Sequence, residues 1–228
     1  MAGPRLIARI DHVRADPGYQ DLCEAYHDSV EEGFFLGGEV ELSAEGRFLA
    51  GDDFWRPPGR VHSATAPRGF EALLMMEGEV ASERSRRVSR VVRPDDEAGR
   101  NALPGAGDHI GPRGYERRAE TRYMVWRAHD DQATGLLDGR EAPLRSKVLS
   151  RNANTNAASV LCDLPAGWSS TLGAVSHERF LVNTTGSVRI DGIELGPCSL
   201  LRIAPGASGL TLATRDGTEL LVKVGEPA

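Results

Sequence analysis

The chain reads as an all-β protein built from two similar small units, and three observations predict this. Apolar residues alternate with polar ones at period two in short windows, the mark of half-buried strands. Turn residues punctuate those windows at short intervals; the 26 glycines and 13 prolines of the 228 residues supply them. Segments of the first half also recur in the second half, and an internal repeat outranks other structural signals. Short strands separated by such turns point to a sandwich or barrel. No window longer than about ten residues carries a convincing apolar stripe of helical period.

In chain order, Glu39-Val40-Glu41-Leu42 follows Gly37-Gly38 and alternates as a strand. The next marked stretch is Gly51-x5-Pro57-Pro58-Gly59-Arg60-Val61-His62, in which proline and glycine set a tight turn just before a histidine. Pro67-Arg68-Gly69 then turns the chain into the apolar run Phe70–Met76. Residues 81–118 change character, rich in Arg, Asp, Pro and Gly, as in a surface-covering or connecting segment. The arginine-rich stretch Arg84–Arg93 belongs to it and reads as solvated linker. Thr121–Arg127 reads as a strand, and Pro143–Leu149 leads into the second half. There Val160, Cys162 and Leu164 share one face, which makes Cys162 a buried small hydrophobe. Ser187–Ile190, the Asp191-Gly192 turn and Thr218–Val224 complete the strand pattern. The expected organisation is a first unit over 1–80, a linker with additional strands over 81–144, and a second unit over 145–228.

The duplication is specific. Gly51-x5-Pro57-Pro58-Gly59-Arg60-Val61-His62 aligns with Cys198-x5-Ala204-Pro205-Gly206-Ala207-Ser208-Gly209, so the second copy has lost its histidine. Gly38–Leu42 answers Gly186–Ile190, and Gly69–Glu79 answers Gly217–Glu226 after a one-residue slip. One half alone therefore retains potentially working side chains.

Composition excludes several classes. With 40% apolar and 26% charged residues the chain is an ordinary globular one. A net charge of −6 argues against a general nucleic-acid surface, which needs clustered Lys and Arg. No apolar run approaches bilayer-spanning length, and Met1–Ile10 is broken by Pro and Arg, unlike a secretory signal; membrane attachment is not expected and a cytoplasmic location is. Cys23, Cys162 and Cys198 are too few and too widely spaced for a disulfide scaffold or zinc knuckle.

The Gly-x5-Pro-x-Gly-x2-His element resembles the second motif of the cupin superfamily, whose fold is a double-stranded β-helix or jelly-roll barrel. Its form here is most similar to the cupin repeat of zinc-binding anti-sigma factors and of stand-alone metal-dependent cupin dioxygenases. The likeness covers most of 20–79 and 158–226, so it implies a bicupin, two such barrels in one chain. The first cupin motif, Gly-x5-His-x-His-x3,4-Glu-x6-Gly, is met by His27-x3-Glu31-x6-Gly38, with Ala25 standing where the first histidine is expected. Carried over position by position, the implied metal ligands are His27, Glu31 and His62.

Two imidazoles and a carboxylate suit Fe, Zn, Ni, Mn or Co and leave coordination positions open. Glu32 competes with Glu31, but the pleat turns only one of them inward and the spacing favours Glu31. Glu31 and His62 are the implied catalytic groups. Phe35, on the same face as Glu31, and Arg60, which could clamp a carboxylate or phenolate, are the candidate pocket residues. In the second copy the ligand positions fall on Gly173, Val175, Arg179 or Glu178, and Gly209; the remaining pair His177-Glu178 points to opposite faces.

The resemblance implies a dioxygenase or related oxidoreductase acting on a small oxygenated molecule, phenolic or dicarbonyl. The same site would serve a lyase, isomerase or cyclase, and a non-enzymatic small-molecule-binding cupin is the third class. A homodimer is expected.

Overall fold

In the computed structural model the described residues are 7–27, 29–43, 45–57, 60–77, 89–91, 118–129, 134–136, 144–152 and 156–225. Pro58 and Gly59 of the spaced turn, and the arginine-rich stretch apart from 89–91, lie outside them. The chain divides into two units, Met1–Tyr123 with Asn152–Asn154, and Met124–Arg151 with Thr155–Ala228. Both are β-structures. No helix among the described residues is long and apolar enough to cross a membrane.

The first unit contains β1 (Ile7–Ala15), β2 (Tyr19–Gln20), β3 (Ala25–His27), β4 (Val30–Leu42), β5 (Gly46–Leu49), β6 (Asp52–Arg56), β7 (Ala64–Ala66), β8 (Phe70–Glu77), β9 (Ser89–Val91) and β10 (Ala119–Glu120). Its main sheet runs β1-β8-β4-β6-β10, and the far end of β4 pairs with β5 and β7. The 13-residue β4 thus serves two sheet regions: Val30–Gly38 pair with β8, and Glu39–Leu42 pair with β5. The sequence reads Gly37-Gly38 as a turn before a strand; instead the pair bends one continuous strand at a register shift between Phe35 and Gly37. Gly38 has φ +74°, and a Cβ there would lie 2.3 Å from the Gly69 carbonyl oxygen, so only glycine permits the crossing.

Inner-face residues follow the pleat. Phe35, Val40, Leu42, Phe48, Phe54, Ala66 and Ala72 form the buried core, with Phe70 and Leu74 packed against it. Across the strands the same face carries a lateral row in which Glu31 on β4 is paired with Met76 on β8 and Arg56 on β6, and Met76 is in turn paired with Arg9 on β1.

Part of the intervening stretch folds onto this unit. β9 pairs with β3, and β10 with β6. Thr121–Arg127, which alternation predicts to be a strand, is a 3-10 turn at Thr121–Tyr123 followed by a short strand at Arg127–Ala128. The reason is contact with β6: the Arg122 guanidinium binds Asp52 at 2.6 Å and Glu120 at 2.6 Å, and the Thr121 hydroxyl donates to the Gly51 carbonyl, so the backbone curls around that strand.

The second unit comprises β11 (Arg127–Ala128), β12 (Arg145–Arg151), β13 (Ala158–Leu164), β14 (Ser169–Thr171), β15 (Arg179–Asn183), β16 (Val188–Ile190), β17 (Ile193–Leu195), β18 (Leu200–Ile203), β19 (Thr211–Ala213) and β20 (Thr218–Val224). They form one sheet in the order β11-β12-β13-β20-β15-β18 and another in the order β14-β19-β16-β17. A single apolar cluster draws on both sheets, including Val160, Cys162, Leu164, Trp168, Leu181, Val188, Leu212, Leu220 and Val222. Cys162 is fully buried, as its strand face requires, and the Asp191-Gly192 dipeptide closes the β16–β17 hairpin.

Candidate metal centre

The three candidate ligands arrive from three places in the first unit. His27 ends β3, Glu31 stands near the start of β4, and His62 follows the proline-rich turn after β6. A backbone bridge fixes the third against the first: Ala25 N–H donates to the His62 carbonyl at 2.9 Å, and His62 N–H to the Ala25 carbonyl at 2.9 Å. Ala25, where the motif would carry another histidine, is therefore the backbone partner of His62.

One carboxylate oxygen is the hub. Glu31 Oε2 lies 3.5 Å from His27 Nε2 and 3.5 Å from His62 Nε2, and ligand atoms of the three residues all lie within 4.8 Å of one another. The imidazoles stack at 5.3 Å between centroids. Ligand atoms bound about 2.0–2.1 Å from a common ion sit about 3.0–3.4 Å apart, so two of the three spacings already approach a coordination edge. The second nitrogen of His62 fits as well: Nδ1 lies 3.0 Å from the Arg60 carbonyl, the arrangement in which Nδ1–H donates and Nε2 keeps its lone pair for a metal. His27 Nδ1 is buried without a hydrogen-bond partner among the described residues. The donor set and its spacing fit a divalent cation.

Residues that spacing did not single out shape the centre. Arg56 lies directly across the sheet from Glu31, 2% exposed, and its Nη1 donates to Glu31 Oε2 at 2.6 Å. Its Nε and Nη2 donate to Glu45 at 2.9 and 2.7 Å, and Glu45 has a fully buried side chain. Beneath the guanidinium lies the Phe54 ring, 4.0 Å from Cζ to centroid. Phe54 takes that place because its cross-strand partner is Gly33, where a Cβ would fall 2.3 Å from the ring. Arg56 falls within the five unspecified residues of the Gly51-x5-Pro57 element, and only its register opposite Glu31 assigns it. Glu45, in the β4–β5 turn, has no such signal.

Electrostatics follow from this packing. Burial pushes the Glu31 carboxyl up, but the Arg56 guanidinium and the two imidazoles outweigh it and bring it down to about 2. Burial chiefly holds His27 below the usual histidine range; the Glu31 charge opposes this without reversing it. At neutral pH the centre thus offers a carboxylate and a neutral His27 imidazole.

The other sequence candidates lie nearby or deeper. Glu32 is also fully buried, on the opposite face of β4. Phe35 sits in the aromatic core, its ring centroid 5.4 Å from that of Phe48 and 5.8 Å from that of Phe70. Arg60 is partly exposed and reaches the cluster through Glu45, with Nε 3.7 Å from Glu45 Oε1.

Within the second unit no group of three potential ligands forms among the described residues. Arg179, which with Glu178 stands at the position equivalent to Glu31, is fully buried. It donates to the carbonyls of Thr134 and Gly135 at 3.0 and 3.1 Å and of Ala207 at 2.9 Å. A guanidinium whose Nη1 and Nη2 donate to backbone oxygens occupies that place.

No protein-family model matches the sequence, and no curated protein matches it. The fold is nevertheless similar to that of a candidate dioxygenase from Nostoc punctiforme, with TM-score 0.70 and 12% identity over 96% of this chain and 69% of that one. Oxalate decarboxylase from Bacillus subtilis matches with TM-score 0.61 and 16% identity over 98% of this chain and 69% of that one. The nickel(II) complex of the bacterial pirin YhhW from Escherichia coli matches with TM-score 0.60 and 14% identity over 99% and 85%. The architecture is all-β, two sheet-built units in one chain, with a fold similar to that of these proteins.

Proposed function

We propose that the protein is a metal-dependent cupin enzyme, a dioxygenase or related oxidoreductase, whose first barrel binds a divalent cation through His27, Glu31 and His62 and acts on a small oxygenated molecule. The single observation that carries this reading is the convergence of two imidazole Nε2 atoms on one carboxylate oxygen at 3.5 Å each, with His62 oriented through Nδ1. The similarity of fold to a candidate dioxygenase and to a nickel-bound pirin supports it.

When bound, the cation would supply Lewis acidity toward an oxygen donor of the substrate and a site for redox chemistry. The protein's own part is positioning and charge. Arg56 holds Glu31 ionised and fixes which of its oxygens faces the imidazoles, and the Arg60 carbonyl sets the His62 tautomer. The apolar wall of Phe35, Phe48 and Phe54 keeps water out beneath the cluster. The second barrel, its equivalent position filled by Arg179, has a structural role in this reading, and a homodimer is the proposed assembly.

The test is metal content. Protein purified without chelator should carry close to one equivalent of a divalent transition metal, and His62→Ala should lose it; a metal-free wild type that also fails to take up added metal would reject the proposal. Oxygen uptake with a panel of phenols and β-dicarbonyls then separates oxygenase from lyase or isomerase chemistry, which the same groups can support and which the fold shared with a decarboxylase keeps in view.

A further inference from the structure

We infer that Arg9 is an anion-recognition residue of the first barrel, and that the ligand of the site is a small dianion with a carboxylate at Arg9 and a second oxygen donor at the His27–Glu31–His62 cluster. This rests on the metal-dependent reading above.

Register places Arg9 there. Arg9 on β1 is opposite Met76 on β8, and Met76 is opposite Glu31 on β4, so the three share the inner face in one row that Arg56 extends. Strands lie about 4.8 Å apart, which puts the Arg9 backbone about 10 Å from that of Glu31, within reach of an extended arginine and a small ligand between them. The alternation of β1 agrees: His12 and Arg14 are exposed on the other face, whereas Arg9, Asp11 and Val13 are half-buried.

Arg9 differs from Arg56 in what it has left to give. All of Arg56's hydrogen-bonding edges go to Glu31 and Glu45 inside the protein. The Arg9 ion pair among the described residues is through Nε, 2.6 Å from Asp11 Oδ2, and its side chain is 37% exposed. Its Nη1 and Nη2 are what it can offer a ligand, with Asp11 steadying the stem at Nε. A guanidinium offers a carboxylate two parallel N–H donors in a fixed fork.

Charge balance sets the ligand's charge. Around the cluster the carboxylates Asp11, Glu31 and Glu45 are offset by the guanidinium groups of Arg9, Arg56 and Arg60. A divalent cation bound through the lone pairs of the two imidazoles adds two positive charges to this set for the ligand to neutralise. A carboxylate paired with a second ionised oxygen does so; a neutral phenol or diketone does not.

The experiment is isothermal titration of protein loaded with one equivalent of cobalt(II), using oxalate, malonate and 2-hydroxybenzoate, each against its neutral amide. The tightest anion should bind at least tenfold better than its amide. Arg9→Gln should weaken that anion roughly ten- to hundredfold, leave the amide unchanged, and Arg9→Lys should recover part of the loss. Cobalt content and thermal midpoint measured on the same samples separate the outcomes: loss of cobalt from wild type rejects the metal reading. Full cobalt occupancy with no preference for any of the anions, or with Arg9→Gln binding them as wild type does, overturns the role of Arg9.

Discussion

Glu31 and Arg56 are direct cross-strand partners on β4 and β6, and the guanidinium donates to the very carboxylate oxygen that both imidazoles face. A cation built into the sheet thus holds the central carboxylate ionised in a buried place. The consequences of that pairing can be measured.

Removing Arg56 should be costly. Arg56→Met leaves Glu31 and Glu45 buried without their partner, and breaking such a pair costs about 3–5 kcal/mol. The double variant Glu31→Gln with Arg56→Met should recover part of the loss in a denaturant-unfolding cycle; strict additivity would show that the two do not interact.

Stability should fall in acid in two windows. His27 is held below its ordinary value of 6.5, so the unfolded chain binds a proton that the folded chain refuses, and stability declines as pH drops below about 6.5. Glu31 is depressed from 4.5 to about 2, so its contribution is complete above pH 4.5 and is lost as pH falls toward 2. Thermal midpoints of wild type and Glu31→Gln across pH 2–7 should differ in slope below about pH 4.5, where the variant is flatter.

Metal affinity should depend on each ligand and on its orientation. Glu31→Ala and His62→Ala are expected to lower affinity by more than about 100-fold in competition titration with a chromophoric chelator, beyond the tenfold to 100-fold expected for the loss of an outer supporting group. Conversely, Ala25→His places an imidazole at the position where the cupin motif that this segment resembles carries one, and should raise affinity.

Gly33 carries the support for Arg56. Gly33→Ala drives a Cβ into the Phe54 ring and should cost about 1–3 kcal/mol, with Phe54→Leu relieving the clash. An unchanged midpoint for Gly33→Ala would mean the ring moves freely and does not hold Arg56.

In the second unit, Arg179→Met removes donors from the carbonyls of Thr134, Gly135 and Ala207. The loss of stability should be about 1–3 kcal/mol, with metal content of the first barrel unchanged.

The strand content and the duplication were legible in the chain because they rest on local signals, period-two alternation, turn residues and short spacings, whereas the trio His27, Glu31 and His62 was implied by the resemblance to the cupin motifs. Local rules misread Gly37-Gly38, which bends a strand rather than ending one, and Thr121–Arg127, where ion pairs to Asp52 override the alternation. Neither correction was available without knowing which distant strand lies alongside.

What the chain determined by itself is which side chains stand at the positions of the cupin motifs and which half of the protein keeps them, since those depend on residue identity and spacing. What tertiary structure alone decided is the company they keep: Arg56 opposite Glu31, Glu45 behind it, Phe54 beneath it in the gap left by Gly33, and Arg9 two strands away on the same face. These are matters of register between strands far apart in sequence, and register is set by how the whole barrel packs.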